Sequence, residues 1–236
     1  MSRATHAIIL AAGRGERMHP LTETIPKPLV PVLGRRMIDT IIAALHENGI
    51  TDIWVVVGYQ KEQFAALPEE YPGLHLLENP DWKTANNIGS LYYARDLLGS
   101  CVILDGDQII RDPSILRPEF DRSCYCCRQA EGPTKEWLLT VEDGIVTACN
   151  PGGGDRGWEL CSVSFWTDED GARLREQLQY EYVEQDNRQI YWDDVALNCH
   201  PGDYRLGIRP MDRDALTEID DLRELAAIDP FYANMV

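Results

Sequence analysis

The chain of 236 residues is long enough to bury one sizeable α/β core but leaves little room for two full domains. Its 22 Lys and Arg against 39 Asp and Glu give a net charge of −17, which excludes a broad nucleic-acid or anionic-membrane surface and points to a small partner. No apolar run reaches the roughly 18 residues of a membrane span, and the first residues lack the apolar segment of a signal peptide, so the expected compartment is the cytoplasm, with the seven cysteines reduced.

Strand-like and helical segments alternate through the first half, the pattern of βαβ units around a mainly parallel sheet. Residues 7–10 read as the first strand. Residues 37–48 carry Ile38, Ile41, Ile42 and Leu45 at helical spacing and stop at Gly49. Residues 53–57 are a continuous apolar run typical of a strand buried on both faces, 61–67 a short helix, and 75–78 a third strand. A loop over 79–85 precedes a helix over 88–98, and 102–105 is a central strand ending in carboxylates. Ligands of open α/β sheets sit beyond the carboxyl ends of the strands, so the loops after Leu10, Glu78 and Leu104 should converge on one crevice.

Beyond Asp112-Pro113 this rhythm is lost. Residues 123–128, 137–141, 145–149 and 160–166 read as strands, the middle pair joined as a hairpin by Glu142-Asp143-Gly144. Cys124 and Cys127 form a C-x-x-C without the second pair or nearby histidines of a zinc site, so they are expected as buried strand residues. The glycine-rich residues 151–157 read as a mobile loop. Helical segments over 168–182 and 192–197, a strand over 204–208 and a helix over 221–228 complete the chain.

The chemistry-bearing residues begin at the end of the first strand. Leu10-Ala11-Ala12-Gly13-Arg14-Gly15-Glu16-Arg17-Met18 sets small residues and glycines, whose main-chain N–H groups can close on an anion, beside fixed positive charge, which Lys27 in Pro26-Lys27-Pro28-Leu29 extends. The spacing excludes a G-x-x-x-x-G-K-[ST] loop, and Met18 stands where a G-x-G-x-x-G motif needs its third glycine. Asp105-Gly106-Asp107, after a buried strand, offers hard oxygen ligands suited to Mg²⁺. In Glu218-Ile219-Asp220, alternation puts the two carboxylates on one side of an extended segment. None of the five histidines has metal or triad spacing.

The two blocks L-A-A-G-x-G-x-R-M and P-K-P-L resemble the signature of the nucleotidyltransferases that join a nucleoside triphosphate to a phosphorylated metabolite and release pyrophosphate. The likeness extends through Asn86-Asn87-Ile88-Gly89-Ser90-Leu91, Ile103-Leu104-Asp105-Gly106-Asp107 and Tyr191-Trp192-Asp193. Within that superfamily the chain looks most like the bacterial CTP:phosphocholine cytidylyltransferases. The resemblance implies a Rossmann-like α/β fold whose mainly parallel sheet is flanked by helices, with a small β-rich acceptor-binding lobe. It implies one domain, its nucleotide-binding half about 1–112 and its acceptor-binding half about 113–236. Arg17 would hold the leaving phosphates and Lys27 would bridge the α-phosphate and the nucleophile. Asp107, Asp220 and the weaker candidate Glu218 would hold Mg²⁺. Leu10, Ala11, Ala12, Gly13, Arg14, Gly15, Asn87, Ser90 and Asp105 would line the CTP site.

A phosphate-bearing acceptor is largely dianionic at neutral pH and needs no strong general base, so cations and a metal matter more than a catalytic histidine. A quaternary ammonium cannot donate hydrogen bonds and is held by aromatic faces and carboxylates. Glu136, Trp137, Tyr191, Trp192, Asp193 and Asp194 supply both, and the expected reaction makes CDP-choline from CTP and phosphocholine, a small zwitterionic phosphate. Three alternatives stand beside it: a cytidylyltransferase acting on 2-aminoethylphosphonate, whose primary ammonium favours carboxylate over aromatic surface, a sugar-1-phosphate nucleotidyltransferase, and a non-catalytic nucleotide-binding subunit.

Overall fold

Ala7, Ile8, Ile9 and Leu10 are all buried because β1 (His6–Ala11) runs between two parallel neighbours with apolar layers on both of its faces. The computed structural model describes residues 1–235. On one side β1 pairs with β2 (Asp52–Val57), which pairs in turn with β3 (Leu74–Glu78); on the other it pairs with β4 (Cys101–Asp105). Odd-numbered Ala7, Ile9 and Ala11 pack on one face with Ile38, Ile41 and Leu45 of helix α1 (Met37–Glu47). Ile8 and Leu10 pack on the other with Ile88 and Leu91 of helix α2 (Asn87–Tyr93).

The predicted α/β architecture with a sheet flanked by helices is what the chain adopts, and the change of rhythm after Asp112 marks a change from parallel to mainly antiparallel pairing. Apart from four two-residue strands, the remaining strands are a short β5 (Gln108–Ile110), β6 (Cys124–Gln129), β7 (Leu138–Glu142), β8 (Ile145–Asn150), β9 (Trp158–Trp166), β10 (Gly207–Pro210) and a short β11 (Leu216–Glu218). The nine-stranded sheet runs β6-β10-β8-β7-β9-β4-β1-β2-β3. Strand β9 is its junction. Residues 163–166 pair antiparallel with β4, residues 158–159 pair with β7, and β6 lies along the opposite edge. Because β6 also pairs with β10, which meets β8, the β-rich part closes into a circuit.

Several predicted elements differ in detail. The helix expected over 61–67 is a 3₁₀ turn at Lys61–Phe64, and a short helix instead begins at Leu67, whose first turn accommodates Pro68 without needing its missing N–H. The helix expected over 88–98 stops at Tyr93 and continues as a 3₁₀ turn. Helix α3 (Asp168–Gln179) passes into a π-helical turn at Tyr180–Glu184. The strand expected over 204–208 is shifted to Gly207–Pro210. Within the glycine-rich residues 151–157, Gly154 forms an isolated bridge to Thr134, whose N–H donates to Gly154 O at 2.8 Å while Gly154 N–H returns the bond at 3.0 Å. Cys124, Cys126 and Cys127 are buried in β6, and all cysteines are free. Among the described residues no helix is long and apolar enough to cross a membrane.

Candidate active site

Strand register alone brings the first set of residues together. Leu10 stands opposite Asp105 in the β1–β4 ladder, so the loops after both strands leave at the same level. Gly106 then turns the chain back, its N–H donating to Leu10 O at 2.9 Å. A side chain at Gly106 would come within 3.0 Å of Pro28 Cγ and 3.1 Å of Leu10 O, so only glycine lets the Pro26-Lys27-Pro28 segment approach this closely. Gly15 has φ +61°, and its Cβ would lie 3.1 Å from Lys27 Cβ. The two motifs are thereby folded against each other. Met18 anchors them from beneath, fully buried with Val30, Met37, Ile219 and Leu225 of helix α4 (Leu222–Ile228).

The second set meets through the short ladder of β5 with β11. Gln108 pairs with Glu218, and Ile219 N–H donates to Asp107 O at 3.3 Å, which places Asp107, Glu218 and Asp220 with carboxylate oxygens within 4.8 Å of one another. Lys27 Nζ donates to Asp107 Oδ2 at 2.6 Å and lies 3.4 Å from Asp220 Oδ1, while Arg17 Nη2 donates to the same Asp220 oxygen at 2.7 Å. Lys27 is only 7% exposed. Burial works to lower its pKa, yet the charge and hydrogen bond of Asp107, with Asp220 and Glu218, prevail and raise it. Glu218 is driven well above the ordinary carboxylate range by burial and by Asp107, Asp105 and Asp220. A divalent cation suits this cluster: the donors are hard oxygens, they repel one another, and Asp107 Oδ1 is buried with no hydrogen-bond partner.

These groups line a crevice of about 960 Å³. Of the expected nucleotide-side residues, Leu10, Ala11, Ala12, Gly13, Gly15, Asn87, Ser90 and Asp105 face it, together with Arg17 and Lys27. On the acceptor side Glu136, Trp137, Tyr191 and Asp193 do so. Trp137 and Tyr191 meet edge to face with ring centroids 5.6 Å apart. Asp193 is 5% exposed, and burial pushes its carboxyl up to about 7, with the neighbouring Tyr125 hydroxyl working in the opposite direction and Asp194 adding repulsion. Its Oδ1 has no hydrogen-bond partner. Asp105 is likewise raised by burial, Asp107 and Asp193, with Ser162 and Lys27 opposing.

Three expected wall residues lie elsewhere. Arg14 turns outward, donating to Glu16 at 2.8 Å with its guanidinium 5.9 Å from the Tyr59 ring. Trp192 is 1% exposed and packs in the core between Trp166 and Tyr125, with centroids 6.0 and 6.2 Å away, because it is the apolar residue of a helical turn lying on that core. Asp194 is spent on the same turn, accepting from Tyr191 N–H at 2.9 Å and from Asn198 at 2.7 Å. Sequence reasoning passed over Lys135 and Ser162, which also face the crevice. Lys135 directly precedes Glu136 and Trp137 and could have been found from them. Ser162 could not, because it enters through a bulge where β9 slips against β6 between Leu160 and Ser164, with φ +50°.

Comparisons with known proteins give the family and the fold. A family model described as nucleotidyl transferase matches residues 6–119. The 2-aminoethylphosphonate cytidylyltransferase of Lancefieldella rimae is 41% identical over 235 residues, covering 98% of this chain and 95% of that protein. The choline-phosphate cytidylyltransferase of Streptococcus pneumoniae is 31% identical over 228 residues, covering 97% and 98%. The solved structure of the CTP:phosphocholine cytidylyltransferase from Streptococcus pneumoniae superposes with a TM-score of 0.90 at 32% identity, covering 96% of this chain and 98% of that one. With its two signature blocks folded against a carboxylate cluster, and with full-length relatives at this level of identity, the chain belongs to the nucleotidyl transferase family.

Proposed function

We infer that the protein is a Mg²⁺-dependent cytidylyltransferase that transfers CMP from CTP to a small zwitterion carrying a primary ammonium, with 2-aminoethylphosphonate as the acceptor. One observation carries the choice of acceptor. Asp193 closes the acceptor end with a buried oxygen that makes no hydrogen bond, beside the equally unpartnered Tyr125 hydroxyl, while Trp192, one of three aromatic residues expected to face a quaternary ammonium, belongs to the core and leaves only Trp137 and Tyr191 at the crevice. A buried carboxylate oxygen without a donor is costly, and a primary ammonium brings three N–H groups to satisfy it. A trimethylammonium brings none. The 41% identity to a 2-aminoethylphosphonate cytidylyltransferase, against 31% to a choline-phosphate enzyme, supports the same choice.

In this reading residues about 1–112 supply the nucleotide side and residues about 113–236 the acceptor side of one domain. An oxygen of the acceptor's phosphonate attacks the α-phosphorus of CTP; the new P–O bond forms as the bond to the β-phosphate breaks, and pyrophosphate departs with the electron pair. Lys27 holds the attacking oxygen against the α-phosphate, and Arg17 neutralises the leaving β- and γ-phosphates. The amides of residues 11–15 line the triphosphate, and Asn87, Ser90 and Asp105 face the nucleoside. Mg²⁺ held by Asp107 and Asp220, with Glu218 beside them, would supply charge neutralisation across the phosphates. Glu136, Trp137, Tyr191 and Asp193 enclose the acceptor.

The test is pyrophosphate release with CTP and Mg²⁺, comparing 2-aminoethylphosphonate, phosphocholine and glucose-1-phosphate. The expected kcat/KM is at least tenfold higher for the phosphonate than for phosphocholine, with glucose-1-phosphate inactive. A preference for phosphocholine overturns the acceptor assignment and leaves the nucleotide chemistry standing.

A further inference from the structure

The wall that faces the nucleotide and the wall that faces the acceptor are stitched together by one segment, residues 185–192. Asn86 N–H donates to Arg188 O at 2.7 Å, and Asn86 Nδ2 donates to Gln189 O at 3.1 Å. Gln189 Nε2 returns a bond to Thr84 O at 2.8 Å. Behind them, Asp81 Oδ2 accepts from the hydroxyls of both Tyr93 and Tyr182, at 2.9 and 2.6 Å. The last stitch is Asn87. Its Oδ1 accepts the backbone N–H of Trp192 at 2.9 Å.

That bond sorts the two ends of one amide. A backbone N–H can only donate, so the atom of Asn87 facing Trp192 is its oxygen and the amide plane is oriented by the strap. Asn87 Nδ2 makes no hydrogen bond to the described residues, and the residue lines the crevice. Asn87 therefore meets a nucleotide as a donor, directed to an acceptor atom such as O2 or N3 of a cytosine ring. The same side chain holds the main chain between Tyr191 and Asp193, the two residues that close the acceptor end.

We propose that Asn87 is a positioning residue that couples the two halves of the site: a pyrimidine nucleotide that engages its Nδ2 fixes its oxygen on Trp192 N–H and so sets Tyr191 and Asp193 for the acceptor. The coupling rests on the cytidylyltransferase reading for its nucleotide but is independent of which acceptor is used. By reciprocity, an acceptor held by Tyr191 and Asp193 favours the nucleotide through the same contact.

The experiment is backbone hydrogen exchange with CTP and Mg²⁺ and no acceptor, on the wild-type chain, Asn87→Asp and Asn87→Ala, followed by KM measurements. Asp at the first position of α2 suits the helix N-terminus and keeps the oxygen for Trp192, so this variant folds and holds the strap while losing the donor. In the wild type, CTP is expected to slow exchange at least fivefold both at residues 10–15 and at 185–192. In Asn87→Asp the slowing at 185–192 on adding CTP disappears, the KM for CTP rises about tenfold, and the acceptor KM at saturating CTP rises as well, because CTP no longer sets the acceptor wall. In Asn87→Ala both KM values rise. Protection at 10–15 without protection at 185–192 in the wild type overturns the coupling, as does an Asn87→Asp variant protected like the wild type. Absence of protection in both segments removes CTP as the ligand, which is failure of the functional reading itself and takes the inference with it.

Discussion

Lys27 Nζ and Asp107 Oδ2 lie 2.6 Å apart in a setting that leaves Lys27 only 7% exposed. The cation assigned to the reacting phosphate is thus also the internal counter-ion of the carboxylate cluster. Lys27 is not a solvated loop lysine, and its removal carries an electrostatic cost in addition to any loss of catalysis.

Lys27→Met keeps most of the buried aliphatic stem and deletes the charge. Turnover is expected to fall at least 10³-fold. Stability is expected to fall by about 3–5 kcal/mol, because Asp107 and Glu218 lose their cation and Asp220 keeps only Arg17. Thermal melts with and without millimolar Mg²⁺ should show a larger metal-induced rise in Tm for this variant than for the wild type. Near-normal turnover would contradict the role of Lys27, and metal-independent melting would contradict the role of the cluster.

Asp193→Asn should separate function from stability. The carboxyl is held at about 7 in the fold against 3.8 for an ordinary aspartate, so the folded chain binds this proton more tightly than the unfolded one between those values. The resulting penalty is absent below about pH 4, grows as pH rises toward 7 and is complete above it. At pH 8 the Asn variant is therefore expected to be more stable, by up to about 4 kcal/mol, in denaturant titrations. Its acceptor KM should nevertheless rise about a hundredfold. Between pH 6 and 8 the wild-type acceptor KM should fall as Asp193 ionises, beyond the slope that the acceptor's own second ionisation leaves in the variant. Superimposable pH profiles would remove Asp193 from the ammonium site.

Ser162 occupies left-handed backbone, which costs a non-glycine residue roughly 1 kcal/mol or more, and its side chain opposes the raised pKa of Asp105. Ser162→Ala keeps the strain and loses the polar contact, whereas Ser162→Gly loses the contact and relieves the strain. The glycine variant is expected to be more stable than the alanine variant by about 1 kcal/mol, read from urea midpoints at matched m-values. Equal midpoints would show that the bulge carries no strain.

The parts of the fold that sequence reveals are those where a single local rule suffices. Residues 7–10, 53–57 and 102–104 are legible because a strand buried on both faces must be apolar without interruption. Glu218 and Asp220 come to one side by simple alternation, and the β5–β11 register completes the cluster with Asp107. What escapes is whatever depends on how a short segment rolls against its neighbours. Tyr191, Trp192, Asp193 and Asp194 look equivalent on paper, yet one helical turn sends Trp192 inward, commits Asp194 to its own cap and leaves Tyr191 and Asp193 for the crevice. The bulge at Ser162 leaves no trace in composition, since nothing in Leu160-Cys161-Ser162-Val163 marks a slipped register.

Strand β9 exchanges partners within its own length, meeting β7 at residues 158–159 and β4 at 163–166, with Ser162 at the joint. The hairpin that follows the Glu136-Trp137 wall is held by residues 158–159, whereas the ladder that fixes Asp105 beside Leu10 is flanked by residues 163–166. Two walls of one crevice thus hang from different ladders: the Glu136-Trp137 wall can change with its hairpin, and the segment that holds Asp105 beside the glycine loop does not have to be rebuilt with it.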